Sequence, residues 1–148
     1  MTDLKDVLLD DMKIAMKKKK KKRLSVIRMA RAAIKNEEIK KRKDLDDEEV
    51  IEVLAREVKQ HRDSIKEFEK NNRDDRVEEL KKEINILLEY LPEQLSDEDI
   101  SNMIDEVISE TNSSSMADMG KVMGKIIPMI KGRADASKVS EFVKSRLQ

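Results

Sequence analysis

The sequence predicts an all-α protein, with a helical N-terminal domain followed by a small three-helix C-terminal tail domain. Apolar residues recur every three to four positions along nearly the whole chain, which is the pattern of amphipathic helices. Charged residues make up 43% of the 148 residues and aromatic residues 2%, a balance that suits thin helical cores. No segment shows the strict alternation of a β-strand.

Four helices are predicted before Pro92. The first spans about residues 3–20 and the second ends near Ile39. No glycine or proline separates these two, so a single long bent helix is an alternative. The third begins at the acidic segment 45–49, where an aspartate can cap the free amides, and the fourth follows the polar break at 71–74. Short links between such helices predict an antiparallel bundle.

Pro92 marks the predicted boundary between domains 1–92 and 93–148. Proline disfavours a helical conformation at the residue before it, so the fourth helix ends there. Ser96 and Asp99 have the spacing of a capping box, which places the start of a fifth helix. The sequence therefore predicts a separate C-terminal segment with its own first helix.

The sixth and seventh helices are predicted from the segment that follows a serine-rich loop at 113–115. Asp118 can cap the sixth helix, and Pro128 interrupts it near its end. Gly132 is well placed just beyond that helix end. Asp135 or Ser137 can cap the seventh helix, which completes a three-helix tail.

Gly120 and Gly124 are unexpected inside a helix, because an interior glycine costs about 1 kcal/mol relative to alanine. Their spacing of four leaves a stripe without side chains, with Lys121 and Lys125 beside it. For the glycines themselves we favour tight packing of the sixth helix against the fifth or the seventh. The alternative is that another backbone, or a nucleic acid, approaches the stripe closely.

The formal net charge is zero, but it is unevenly distributed. Residues 1–44 contain 16 basic and 7 acidic side chains, residues 45–115 contain 9 and 22, and residues 116–148 contain 7 and 3. Two basic ends around an acidic middle are compatible with an anionic partner. The strongest local charge is a run of six lysines: Lys17, Lys18, Lys19, Lys20, Lys21 and Lys22. This run is either a solvated helix face or a stripe that binds phosphates.

Composition also limits the location and the chemistry. The chain has no cysteine, which excludes a disulfide scaffold and a thiolate zinc site. No apolar run approaches the roughly 20 residues of a membrane span, and the acidic N-terminus does not resemble a signal peptide. We therefore predict a cytoplasmic protein without a membrane partner.

His61 lies on an apolar stripe and has no assignable catalytic partner, so we predict no catalytic residues, no metal site and no cofactor.

Three segments resemble the YqeY family: 91–95 (Leu-Pro-Glu-Gln-Leu), 118–124 (Asp-Met-Gly-Lys-Val-Met-Gly) and 131–135 (Lys-Gly-Arg-Ala-Asp). The same module is similar to the C-terminal region of the B subunit of tRNA-dependent amidotransferases. In those enzymes this region is implied to hold tRNA, while the chemistry takes place in other domains. The resemblance covers nearly the whole chain and is most specific over residues 90–148.

The resemblance implies a non-catalytic module that binds tRNA. Gly120, Lys121, Gly124, Lys131, Gly132 and Arg133 match the tail motif, whereas the lysine run is not part of it. We expect Lys121, Lys125, Lys131 and Arg133 to contact tRNA phosphates, although Lys131 and Arg133 could simply complement a helix dipole.

Other functions remain open at this point. The module could be an accessory to glutamine-dependent amidation of tRNA-bound amino acids, acting with an amidotransferase or another protein partner. It could instead be an adaptor that docks a basic protein on its acidic middle. A free-standing amide-forming enzyme ranks last, because no nucleophile, general base or nucleotide loop is present. We expect a monomer, although the methionine-rich surface around residues 116–129 could pair two chains.

Overall fold

The computed structural model describes residues 3–148 and contains seven α-helices, one short 3₁₀ turn and no β-strand in that range. The all-α prediction is confirmed. The helices are α1 (Leu4–Lys17), α2 (Lys21–Lys41), α3 (Asp47–Lys70), α4 (Asp74–Leu88), α5 (Asp97–Thr111), α6 (Met119–Ile130) and α7 (Ala136–Leu147). The 3₁₀ turn, Met116–Asp118, leads directly into α6. Within the described residues, none of the helices has the length and apolar character that crossing a bilayer requires.

The chain divides into two compact units, the first ending at Pro92 and the second beginning at Glu93. In the first unit, α1 packs along α2 and α3 along α4, and α2 contacts both α3 and α4. Each of the four helices contributes a fully buried side chain, namely Leu8, Ile27, Leu54 and Leu87. Burying a side chain of this size stabilises a fold by about 1.5–3 kcal/mol, so these residues fix the bundle.

The junction between α1 and α2 differs from the prediction. α1 ends at Lys17, and Lys19 has a φ of 55°, in the left-handed region. The amide of Lys19 donates to the carbonyl of Met16 at 3.3 Å, and that of Lys20 to the carbonyl of Ala15 at 2.9 Å. These bonds close the end of α1 in the way that usually requires a glycine. The alternative of one long bent helix is therefore wrong.

In the second unit, α6 contacts both α5 and α7, and α5 contacts α7. Its core includes Ile104, Ile126 and Val139, one from each helix, and all three are fully buried. The segment before α5 is tied to the turn after α6. The amide of Leu95 donates to the carbonyl of Arg133 at 2.9 Å, and the side chain of Gln94 donates to the carbonyl of Gly132 at 2.7 Å. These bonds hold that turn in place.

Candidate nucleic-acid interface

The two glycines of α6 lie on its exposed side. Gly120 and Gly124 are both exposed, and a Cβ added at either would meet nothing within 4 Å. The buried side of the helix is instead formed by Val122, Ile126 and Ile130. The favoured interpretation of the glycines as a packing device is therefore wrong. They leave part of the helix backbone uncovered toward solvent.

The glycines belong to a larger low-relief surface. Ile127 and Pro128 lie seven and eight residues beyond Gly120, so all four positions share one side of the helix. Ile127 is 44% exposed although its side chain is large and apolar, and Pro128 is exposed as well. We call Gly120, Gly124, Ile127 and Pro128 the α6 face. Its side chains are few and apolar, so a partner can approach the backbone closely.

Lys121 and Lys125 lie one turn apart beside the α6 face and reach toward the end of α5. The ammonium group of Lys121 donates to the carbonyl of Thr111 at 3.2 Å and lies 3.8 Å from the Asp118 carboxylate. Lys125 contacts the carboxylate of Glu110 at 2.5 Å. The two lysine side chains are 54% and 50% exposed. Such exposed pairs are worth about 0–1 kcal/mol, so a phosphate could replace the present partners.

Lys131 and Arg133 lie in the turn after α6. Lys131 is exposed and directly follows the last residue of α6, and Gly132 comes next with a φ of 71°. Arg133 is half-buried, and its guanidinium donates to the carbonyl of Met129 at 3.4 Å. Arg133 therefore interacts with the α6 C-terminus, the dipole role considered from the sequence. Its guanidinium has further donors beyond this one bond.

The six lysines of the run do not act as one group. Lys17 ends α1, Lys18–Lys20 form the connection, and Lys21 begins α2, and all five are exposed. Lys22 is half-buried and contacts Glu79 at 3.1 Å and Glu83 at 3.2 Å. Desolvation lowers the pKa of Lys22, but the bonds to the two glutamates outweigh it and raise the pKa above its ordinary value. Lys22 is thus a structural residue of the first unit, and Lys17–Lys21 are the accessible charges.

Potential catalytic groups are scarce in residues 3–148. His61 is buried, with its Nδ1 atom 2.9 Å from the carbonyl of Glu57 and its Nε2 atom 3.4 Å from the Glu83 carboxylate. Both contacts lie inside the first unit and fix the ring. No group of three or more metal-ligating side chains occurs within the described part of the chain.

Residues 5–147 match the YqeY family, described as Yqey-like protein. Several fungal proteins named "Altered inheritance of mitochondria protein 41, mitochondrial" are similar in sequence. The one from Kluyveromyces lactis is 38% identical over 80% of this chain and 66% of its own length. The one from Lachancea thermotolerans is 36% identical over 92% of this chain and 76% of its own length. The chain thus spans about two thirds to three quarters of these relatives.

These relatives contradict the cytoplasmic location expected from the sequence, because each of them is named as a mitochondrial protein. The expectation depended on the lack of cysteine and of long apolar segments, and on an acidic N-terminus that does not resemble a signal peptide. Those features do not distinguish one cellular compartment from another.

Proposed function

The chain belongs to the YqeY family, and from that premise we propose that it is a non-catalytic helical module that binds tRNA through the second unit. The observation that carries the proposal is the exposed α6 face, where Gly120 and Gly124 leave backbone uncovered beside Lys121 and Lys125. The apolar inner side of α6 already packs against the core, and glycines on its outer side add nothing to that packing. Close approach by a large ligand gives them a purpose.

An RNA backbone fits this surface better than an unpaired base does. The chain has only three aromatic residues, Phe68, Tyr90 and Phe142, so it lacks the platforms on which single-stranded bases stack. Folded RNA is recognised mainly by shape, by its phosphates and by its 2′-hydroxyl groups. In the proposed complex, the ribose-phosphate backbone lies against the α6 face. Lys121, Lys125, Lys131 and Arg133 then contact its phosphates.

The exposed lysines Lys17–Lys21 of the first unit would add attraction that does not depend on sequence. Clustered cations raise the association rate with an anionic partner and make its affinity sensitive to salt. A role as an accessory to amidation of tRNA-bound amino acids would follow from the family resemblance. In that role the module holds the tRNA and another subunit performs the reaction.

The adaptor function is the second candidate, and the structure gives it less support. Several carboxylates of the acidic middle already form ion pairs with basic side chains of the same unit. Glu79 and Glu83 contact Lys22, and Glu89 contacts Arg23 at 2.7 Å. A basic protein would have to compete with these internal partners.

The test is fluorescence anisotropy of labelled bulk tRNA with the full chain, repeated over a range of salt concentrations. The tail variant replaces Lys121, Lys125, Lys131 and Arg133 by alanine. A matched control removes four exposed charges from the first unit, at Arg62, Lys66, Lys81 and Lys82. A plot of log affinity against log salt concentration has a negative slope, and each lost phosphate contact makes that slope shallower by about 0.7–0.9. We expect the tail variant to bind at least about tenfold more weakly with a shallower slope, and the control to bind like the parent chain.

Equal binding by the parent chain and the tail variant would contradict the tail as the binding surface. Duplex DNA of the same length serves as the competitor. If it displaces tRNA at equal concentration, the attraction is general electrostatics and the RNA proposal fails. No tRNA binding by the parent chain would leave the adaptor function as the better candidate.

A further inference from the structure

A groove of about 550 Å³ lies between α1 and α2 in the first unit. Its floor is apolar, because Leu8 and Ile34 are buried there, and Leu9 and Ala32 form part of its walls. Pockets for small ligands have volumes of about 300–1,000 Å³ and combine an apolar lining with a few polar groups. The groove is remote in sequence from the motif that resembles the amidotransferase tail, and nothing in the proposed tRNA contact uses it.

The charged groups of the groove are mostly positive. Lys5, Arg28, Arg31 and Lys35 line it together with only two acids, Asp6 and Glu38. Glu38 is already occupied, because it accepts bonds from the Lys5 ammonium group at 2.8 Å and from the amide of Leu45 at 2.9 Å. Three cations therefore face the groove against the single carboxylate of Asp6.

These three cations form one stripe on α2. Arg28, Arg31 and Lys35 are separated by three and four residues, so they follow one another along the same side of the helix at steps of roughly 4.5 and 6 Å. Neither Arg28 nor Lys35 forms an ion pair within residues 3–148, although, besides the bond from Lys5, the charge of Lys35 also helps to lower the pKa of Glu38, and Arg31 donates only to the neutral sulfur of Met12, at 3.2 Å. Like charges at these spacings repel one another. An anion in the groove would relieve that repulsion.

We propose that this groove binds a small ligand with two or more adjacent phosphate groups, such as a pyrophosphate or a nucleoside diphosphate. Guanidinium groups pair with phosphate oxygens through two parallel bonds, and two of the three cations are arginines. Successive phosphates can contact successive cations of the stripe, while the apolar floor takes the rest of the ligand. No aromatic side chain lines the groove, so different bases should bind with similar affinity.

The test is isothermal titration of the full chain with inorganic pyrophosphate, ADP, GDP and inorganic phosphate at one fixed ionic strength. The groove variant is Arg28→Ala with Lys35→Ala, since both residues are exposed. The matched control, Lys13→Ala with Lys40→Ala, removes two exposed charges from the same two helices outside the groove. We expect pyrophosphate and the two diphosphates to bind the parent chain and the control at least ten times more tightly than inorganic phosphate. We expect the groove variant to lose this preference while keeping the circular dichroism of the parent chain.

Equal binding of pyrophosphate to the groove variant and the control would overturn the proposal, as would affinities that follow ligand charge alone in all three proteins. Measuring tRNA binding by the groove variant and the parent chain distinguishes this site from the tail. If the groove variant loses tRNA binding and the parent chain ignores pyrophosphate, the groove is an RNA contact and the small-ligand proposal fails. If tRNA binding is absent altogether, pyrophosphate binding that depends on Arg28 and Lys35 still supports the groove.

Discussion

Gly124 occupies the middle of α6, where glycine is a poor choice for stability and where the structure leaves room for a side chain. An added Cβ meets nothing within 4 Å, so alanine fits without moving a neighbour. We therefore expect Gly124→Ala to raise the free energy of unfolding of the second unit by about 0.5–1 kcal/mol. If RNA lies against the α6 face, Gly124→Leu should weaken tRNA binding without loss of stability. Urea unfolding and tRNA anisotropy on the same samples measure both effects.

Gly132 is the control for this substitution. Its φ of 71° lies in the left-handed region, where a side chain costs about 1–2 kcal/mol. Gly132→Ala should therefore destabilise the second unit while Gly124→Ala stabilises it. If both substitutions destabilise the second unit, Gly124 has a structural role and the predicted gain from alanine at this position is wrong. If Gly124→Leu leaves tRNA affinity unchanged, the α6 face is not the contact surface.

The first turn of α5 is stabilised by a capping box. The hydroxyl of Ser96 accepts from the amide of Asp99 at 3.0 Å, and the Asp99 carboxylate accepts from the amide of Ser96 at 3.1 Å. Ser96→Ala removes one half of this capping box, so the second unit should lose about 1 kcal/mol. Ser109→Ala, at an exposed position near the other end of α5, should be neutral or slightly stabilising. Thermal unfolding followed by circular dichroism compares the two, and equal melting temperatures would contradict the role of the cap.

The helices whose ends carry side-chain signals were the ones that the sequence located well. Asp46 and Ser96 form the predicted caps, and Asp135 caps α7 by accepting from the amide of Ser137. The predicted end of α1 lies three residues beyond the observed one, because Lys19 adopts the left-handed conformation in which glycine is usual. Local hydrogen bonds can thus end a helix without any signature in residue type.

Solvent exposure was harder to predict than helix position. Ile127 has the apolar character of a core residue, yet it faces solvent beside Gly124. The role of the stripe of Arg28, Arg31 and Lys35 does not follow from the sequence, because cations on an amphipathic helix usually form its solvated side. The groove beside them becomes visible only when α1 is packed on α2. Which charges already have partners is a property of the assembled bundle, so periodicity alone does not reveal it.

At the scale of the whole molecule, many of the basic side chains near the N-terminus form ion pairs with carboxylates of the acidic middle within the first unit. The basic N-terminal part supplies Lys5, Lys22 and Arg23, and their partners include carboxylates up to 66 residues away. Glu49 accepts from both Lys41 and Lys43 and has a pKa below its ordinary value, first because of the Lys43 bond. These pairs tie distant segments to one another. They also make the stability of the bundle depend on ionised carboxylates.

Glu38 gives the clearest test of that dependence. Its bonds from Lys5, and next from the amide of Leu45, hold its pKa below the ordinary value. A lowered native pKa means that its stabilisation is complete above the unfolded value of about 4.3 and is lost as the pH falls through the native value. Glu38→Gln should therefore lower the free energy of unfolding by about 1 kcal/mol at pH 7 and by much less once the pH falls below the native pKa of Glu38. Glu69→Gln, an exposed position on α3 without an ion pair in the described residues, should show no such change in urea unfolding. A Glu38→Gln effect that stays constant from neutral to acidic pH would mean that packing, and not the charge, stabilises this contact.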